Sequence, residues 1–182
     1  MNHSDHINLM LPAHLPSGGT WADLGAGSGA FTLALRELIG PEAEIYAVDK
    51  DHHRLAELER EYRTRFKDLT HLHILAADFS QDMTMHPAQR LPQFDGVLMA
   101  NSLHFFRDKE SILRRVYALL KPGGMLLVVE YNVDVGNTWV PYPFSFESWL
   151  KLAPQAGFSQ PRLLATRISS FMRGFYSAVA YK

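Results

Sequence analysis

The sequence predicts an α/β fold: a doubly wound, mostly parallel seven-stranded sheet in three α/β/α layers, finished by an antiparallel C-terminal hairpin. Three observations predict it. Short apolar runs alternate with longer amphipathic runs from Trp21 to Tyr131, the rhythm of successive strand–helix units. The short runs are near-continuous in hydrophobicity, as strands buried on both faces require. The last two strand-like runs are separated by only a few residues around Arg173-Gly174. That link is too short for a parallel crossover, so the pair must run antiparallel.

Taken in order, residues 1–19 are polar, rich in histidine and broken by Pro12, Pro16, Gly18 and Gly19. They predict a loose arm with one helical turn near Ile7–Leu11, ahead of a single domain over residues 20–182. "TWADL" is the first strand, and "GAFTLALRELIG" is a helix stopped by Gly40 and Pro41. "AEIYAVD" is the second strand. "DHHRLAELEREYRTRF" is a helix capped by Asp51, with an apolar stripe through Leu55, Leu58, Tyr62 and Phe66. "LHILAAD" is the third strand, residues 80–92 are an irregular connection with a single turn, and "FDGVLMAN" is the fourth strand. "DKESILRRVYALLKPGG" is a helix capped by Asp108 and stopped by Pro122-Gly123-Gly124, and "MLLVVEY" is the fifth strand. "SFESWLKLAPQAGF" is helical to Gly157, and "PRLLATRIS" and "FYSAVAYK" form the closing hairpin.

Composition narrows the function. In 182 residues, 18 basic side chains balance 19 acidic ones, so the basic footprint of a nucleic-acid binder is missing. With no cysteine, disulfides, thiolate metal sites and a cysteine nucleophile are excluded. The N-terminal residues lack a cationic end leading into a long apolar run, so no secretory leader is expected. No stretch approaches the ~20 apolar residues of a membrane span, and the cytoplasm is the expected compartment.

In an open α/β sheet, ligands gather outside the carboxyl ends of the strands. Those ends carry Asp23-Leu24-Gly25-Ala26-Gly27-Ser28-Gly29, Asp49-Lys50, Asp78-Phe79, Asn101-Ser102-Leu103-His104 and Glu130-Tyr131. Several strands thus deliver a carboxylate to one rim, more than helix capping explains. The glycines let a ligand lie against the backbone, where a β-carbon would collide. Asp49 stands 22 residues past Gly27, a spacing that lets the acid ending the second strand take both hydroxyls of a ribose. Its competing role as a helix cap is already filled by Asp51. Asp78 offers an acceptor for an exocyclic amine, and Phe79 a ring or backbone N–H for a base, against plain core packing.

The ordered segments "DLGAGSGAF", "AVD", "AADF", "FDGVLMANSLHFF" and "LKPGGMLLVVE" resemble the motif series of class I S-adenosylmethionine-dependent methyltransferases, small-molecule type. The resemblance covers residues 20–182, and the reversed last strand fits it. It implies that Gly25, Gly27 and Gly29 surround the methionine portion of S-adenosylmethionine, with Asp23 holding the loop or reaching the amino group. It further implies Asp49 and Lys50 at the ribose, Asp78 and Phe79 at the adenine, and Asn101 at the methionine end. Gly25-x-Gly27-x-x-Ala30 also satisfies a relaxed dinucleotide fingerprint. Against a nicotinamide dehydrogenase stand Asp78-Phe79, the "LKPGG" turn and the closing hairpin.

Methyl transfer from a sulfonium is an in-line displacement that demands alignment, and a hydroxyl or carbon acceptor gains from a base as well. His104, following the fourth strand, is the candidate base; packing between Phe105 and Phe106 is the competing account. Tyr131, Trp139 and Tyr142 are candidate substrate contacts, the last two in the aromatic loop "NVDVGNTWVPYPFSF" with Phe144 and Phe146. The histidines lack carboxylates at ligand spacing, so no metal is expected. The short arm leaves a pocket that is open, closed by the arm or completed by a second subunit of a homodimer. A small-molecule methyltransferase is the leading expectation. A non-catalytic cofactor-binding subunit and a methyltransferase of RNA or protein are the alternatives.

Overall fold

The strands are Thr20–Leu24 (β1), Glu44–Asp49 (β2), Leu72–Ala76 (β3), Phe94–Ala100 (β4), Leu120–Tyr131 (β5), Arg162–Ile168 (β6) and Gly174–Tyr181 (β7). The helices are His3–Met10 (α1), Ala30–Ile39 (α2), His52–Phe66 (α3), Lys109–Leu119 (α4) and Phe146–Gln155 (α5). The computed structural model describes residues 1–81 and 91–182; most of the connection expected over residues 80–92 therefore lies outside the described residues. The strands form one sheet in the order β3-β2-β1-β4-β5-β7-β6. β1 to β5 pair parallel, and β7 runs antiparallel to both β5 and β6. The order reverses between β1 and β4, so the topological switch point lies at the carboxyl ends of those two strands.

Alternate residues of each strand feed two faces. On one face Ala22, Val97, Leu126 and Tyr176 pack beneath α4 and α5 with Val116, Trp149 and Phe158. On the other, Trp21, Ile45, Leu98 and Leu127 pack beneath α1 and α2 with Met10 and Leu35. Leu55, Leu58 and Tyr62 of α3 join that side against Ala47. Both faces of the sheet are thus covered, as the apolar strand runs require.

Two expectations are corrected. The N-terminal segment is no loose arm: Asn2 and Asp5 close a reciprocal capping box on α1, and Leu9 and Met10 are buried in the core. Asp5 also pairs with Arg167 of β6 at 2.9 Å. An Asn-x-x-Asp box supplies two orphan amides with acceptors, and the apolar residues behind it give the helix a face to bury. The second correction concerns α4, which ends at Leu119 instead of reaching Pro122. Leu120 already pairs with Phe94, and the "KPG" turn forms an irregularity before Met125 pairs with Gly96. Proline disfavours helical backbone in the residue before it, so Lys121 is extended. Its ammonium meets Asp95 at 2.8 Å, while Asp95 also accepts from the Thr20 amide. That carboxylate staples the end of the sheet opposite the switch point.

Candidate functional site

The chain leaves β1 at Leu24 and turns at once. The amides of Gly25 and Ala26 donate to Val48 O at 2.8 and 3.0 Å. Gly25 has φ +84°, and a β-carbon there would sit 2.4 Å from Ser102 Cβ. Gly29, φ +89°, stands at the start of α2, where a β-carbon would lie 2.5 Å from Leu58 Cγ. The loop is pressed between the turn after β4 and helix α3, and only glycine combines that backbone with that proximity. Asp51 caps α3 through the His53 and Arg54 amides. Asp49 is thereby released from capping. Its Oδ2 accepts from the Gly27 amide at 2.8 Å, and its Oδ1 from Asp51 N–H at 2.9 Å. A carboxylate has about four acceptor positions, so Asp49 ties the loop and still offers lone pairs to a ligand.

Above this loop lie two adjoining cavities, of about 290 and 250 Å³, which share Gly25, Arg54 and Asn101. The first lobe gathers Asp49, Lys50, Asp78 and Phe79, and is walled by Ser102, Phe105 and Phe106. The second gathers Asp23 and Gly27 with His6 and Phe31. Of the residues expected at the cofactor, only Gly29 lines neither lobe; it acts from behind, through packing. Arg54 and the α1 residues were not among the site residues expected from the sequence. Arg54 stands one helical turn past the Asp51 cap, a spacing that could have flagged it, whereas nothing local marks His6.

The trough has polar atoms to spare. Asn101 holds a left-handed φ of +52°. Its Oδ1 and Ser102 Oγ are buried with no hydrogen-bond partner among the described residues. An unpartnered buried polar group is costly. The glycine cradle and the strand-end acids suit S-adenosylmethionine, an elongated nucleoside bearing an amino acid.

Asp23 is almost wholly buried and accepts from Thr32 Oγ1 at 2.6 Å. Burial pushes its carboxyl from 3.8 up to about 7, opposed by the Thr32 hydrogen bond and assisted by the charge of Asp49. Between pH ~4 and 7 the folded chain therefore holds a proton that the unfolded chain has lost. This contribution to stability is full below the unfolded value and disappears as pH rises to about 7. Asp23→Asn, which keeps an acceptor for Thr32, should flatten that fall and be the more stable protein at pH 8. Thermal melts from pH 4 to 8 check this, and parallel curves for the two proteins would contradict it.

His104 lines neither lobe and is packed at 2% exposure, while its neighbours Phe105 and Phe106 wall the first lobe. Its Nδ1 lies 2.7 Å from Oε2 of Glu130, which is wholly buried. A carboxylate only accepts, so Nδ1 carries a proton, and in the neutral ring Nε2 keeps its lone pair. The other Glu130 oxygen accepts from the amides of Leu103 and His104. Glu130 therefore grips the whole turn after β4. Tyr131 approaches His104 edge-on at 5.7 Å, and the Tyr142 amide donates to the His104 carbonyl. These three residues converge. Trp139 does not: it is 77% exposed, pointing outward from a turn held by Asn137 Oδ1. Phe144 joins the core against Trp149 and Tyr176, so that loop aromatic covers the sheet.

Nearby, Lys109 is buried with its ammonium donating to Phe106 O and facing the Tyr142 and Phe144 rings. Desolvation lowers its pKa, partly offset by the charge of Glu130. His71 and His73 both bond Glu44, at 2.7 and 2.6 Å, a pairing across β2 and β3. Among the described residues no group of three or more His, Asp or Glu side chains is arranged to hold a metal ion, and no helix is long and apolar enough to cross a membrane.

Comparison with known proteins adds to this geometry. A family model described as "Methyltransferase domain" matches residues 22–126. A stretch of Fumosorinone synthetase from Cordyceps fumosorosea is 30% identical over 160 residues, 86% of this chain but 4% of that protein. The ubiquinone/menaquinone biosynthesis C-methyltransferase UbiE of Pasteurella multocida is 31% identical over 117 residues, covering 62% of this chain and 40% of the relative. The chain thus spans less than half the length of these two relatives. A SAM-dependent methyltransferase from Aquifex aeolicus superposes with a TM-score of 0.70 at 17% identity, over 100% of this chain and 98% of the other.

Proposed function

Because this chain belongs to the methyltransferase domain family, of the class I S-adenosylmethionine-dependent type, we propose that it methylates a small-molecule acceptor with S-adenosylmethionine as donor. One observation carries the reading: a two-lobed trough at the switch point, lined by Asp23, Asp49 and Asp78 and by the unpartnered Asn101 Oδ1. When bound, the donor supplies an electrophilic sulfonium methyl. The protein then has to hold the acceptor in line and keep water out. Asp49 binds the ribose hydroxyls beside Lys50, and Asp78 and Phe79 take the adenine. Asp23, Gly25, Gly27 and Asn101 hold the amino-acid end, and Phe105 and Phe106 form the apolar wall.

A carbon acceptor of the kind the UbiE name denotes must shed a proton. His104, oriented by Glu130 with its Nε2 lone pair available, is the group to take it. Tyr131 borders that imidazole; it and Tyr142 contact the acceptor, with the exposed Trp139 meeting it only at the rim.

Incubating the chain with methyl-tritiated donor and a fractionated cell extract tests the proposal. Label should pass to the low-molecular-weight fraction. Label confined to protein or RNA would move the acceptor to a macromolecule. Tight donor binding without transfer, even with added partners, would make the chain a non-catalytic subunit.

A further inference from the structure

His6 has no part in that chemistry, yet it lies where a solvent-facing helix residue should not. It is 8% exposed, its ring packs on Phe31 with centroids 4.5 Å apart, and it borders the second lobe with Asp23, Gly27 and Asn101. Its Nδ1 is buried and has no hydrogen-bond partner among the described residues. Leaving such an atom bare costs folding free energy, and packing alone would be served as well by phenylalanine.

The polar inventory of the lobe says what is wanted there. Asp23 and the bare Asn101 Oδ1 are acceptors and suit an ammonium group. The donors among the lining residues are His6, the Ser28 hydroxyl, Met1 with its N-terminal ammonium, and Arg54, whose ion-pair contact with Asp51 is a loose 3.9 Å. One acceptor side and one donor side in a single lobe match an α-amino-acid zwitterion. Burial lowers the His6 pKa, with the neighbouring positive charges adding to this, so the ring is neutral and carries one proton to donate. The helix bearing it is anchored on two sides, by its capping box and by Asp5–Arg167, which holds the ring over the lobe as a fixed element.

We propose that His6 Nδ1–H hydrogen-bonds the α-carboxylate of the donor's methionine portion, making α1 part of the cofactor site. This rests on S-adenosylmethionine being the donor and adds a residue outside the glycine loop and strand ends.

The test is calorimetric titration of the full chain with two probes, S-adenosylhomocysteine and its decarboxylated analogue. His6→Phe keeps a ring against Phe31 but removes the nitrogen. It should weaken S-adenosylhomocysteine about ten-fold or more, the usual scale for a hydrogen bond to a charged group, and leave the decarboxylated analogue unchanged. His6→Ala should show the same split; if that variant fails to fold, His6→Phe decides. Equal losses for both probes, or no loss for either, would overturn the proposal. Failure of the parent chain to bind S-adenosylhomocysteine at all would instead overturn the donor assignment.

Discussion

Glu130→Ala is expected to cost about 3–5 kcal/mol of stability, because each buried donor left without its acceptor costs about 1–3 kcal/mol. The carboxylate is wholly buried and accepts three hydrogen bonds, from the amides of Leu103 and His104 and from the His104 ring. Alanine strands all three donors without water. Equilibrium urea unfolding measures the loss, and a change below ~1 kcal/mol would mean that the turn after β4 does not depend on this grip. Glu130→Gln separates structure from chemistry. It retains an oxygen for the two amides and nearly the same volume, so most stability should survive. Its NH2 group, however, donates toward His104 and favours the tautomer with the proton on Nε2. A base role for His104 then predicts a fall in kcat on the order of 100-fold or more with KM little changed. An unchanged kcat would leave His104 as a packing residue.

Asp49→Ala should weaken S-adenosylhomocysteine binding on the order of 100-fold while the fold survives. Two charge-assisted hydrogen bonds to a ribose, each at the level of roughly 1.5 kcal/mol or more, account for that factor. The residue is half-buried at the end of β2, and its present partners are two backbone amides, Gly27 and Asp51. Both face the trough side and regain water once the carboxylate is gone, so the stability loss should be small. Calorimetry gives the affinity and a thermal melt the stability. Unchanged affinity would remove Asp49 from the site; loss of both would mean that its work is to hold the glycine loop.

The candidate site was legible to very different degrees. Asp23, Asp49, Asp78 and Asn101 could be found because each ends a strand, and a parallel sheet delivers all such ends to one edge. That Asp51 caps α3 and frees Asp49 was likewise local, since an N-cap bonds amides two and three residues on. Arg54 and His6 were missed because their place depends on which way a helix rolls onto the sheet. Trp139 shows the opposite limit. Its neighbours in "NTWVPYPF" are equally aromatic, yet Phe144 is buried in the core and Trp139 stands in solvent. Composition attracts attention to such a loop but does not sort its rings.

From residue order alone came the seven strands, the reversed final pair, the glycine loop and the acids at the rim. All of these follow from periodicity and from neighbours a few positions apart, interactions encoded within a short span of chain. Long-range packing settled the rest. It turned the first ten residues from a tether into a buried helix, brought His6 to the far lobe, and matched His104 with Glu130 across 26 positions. Such pairings depend on how layers stack and where burial leaves a polar atom without water, quantities that exist only once the chain is folded.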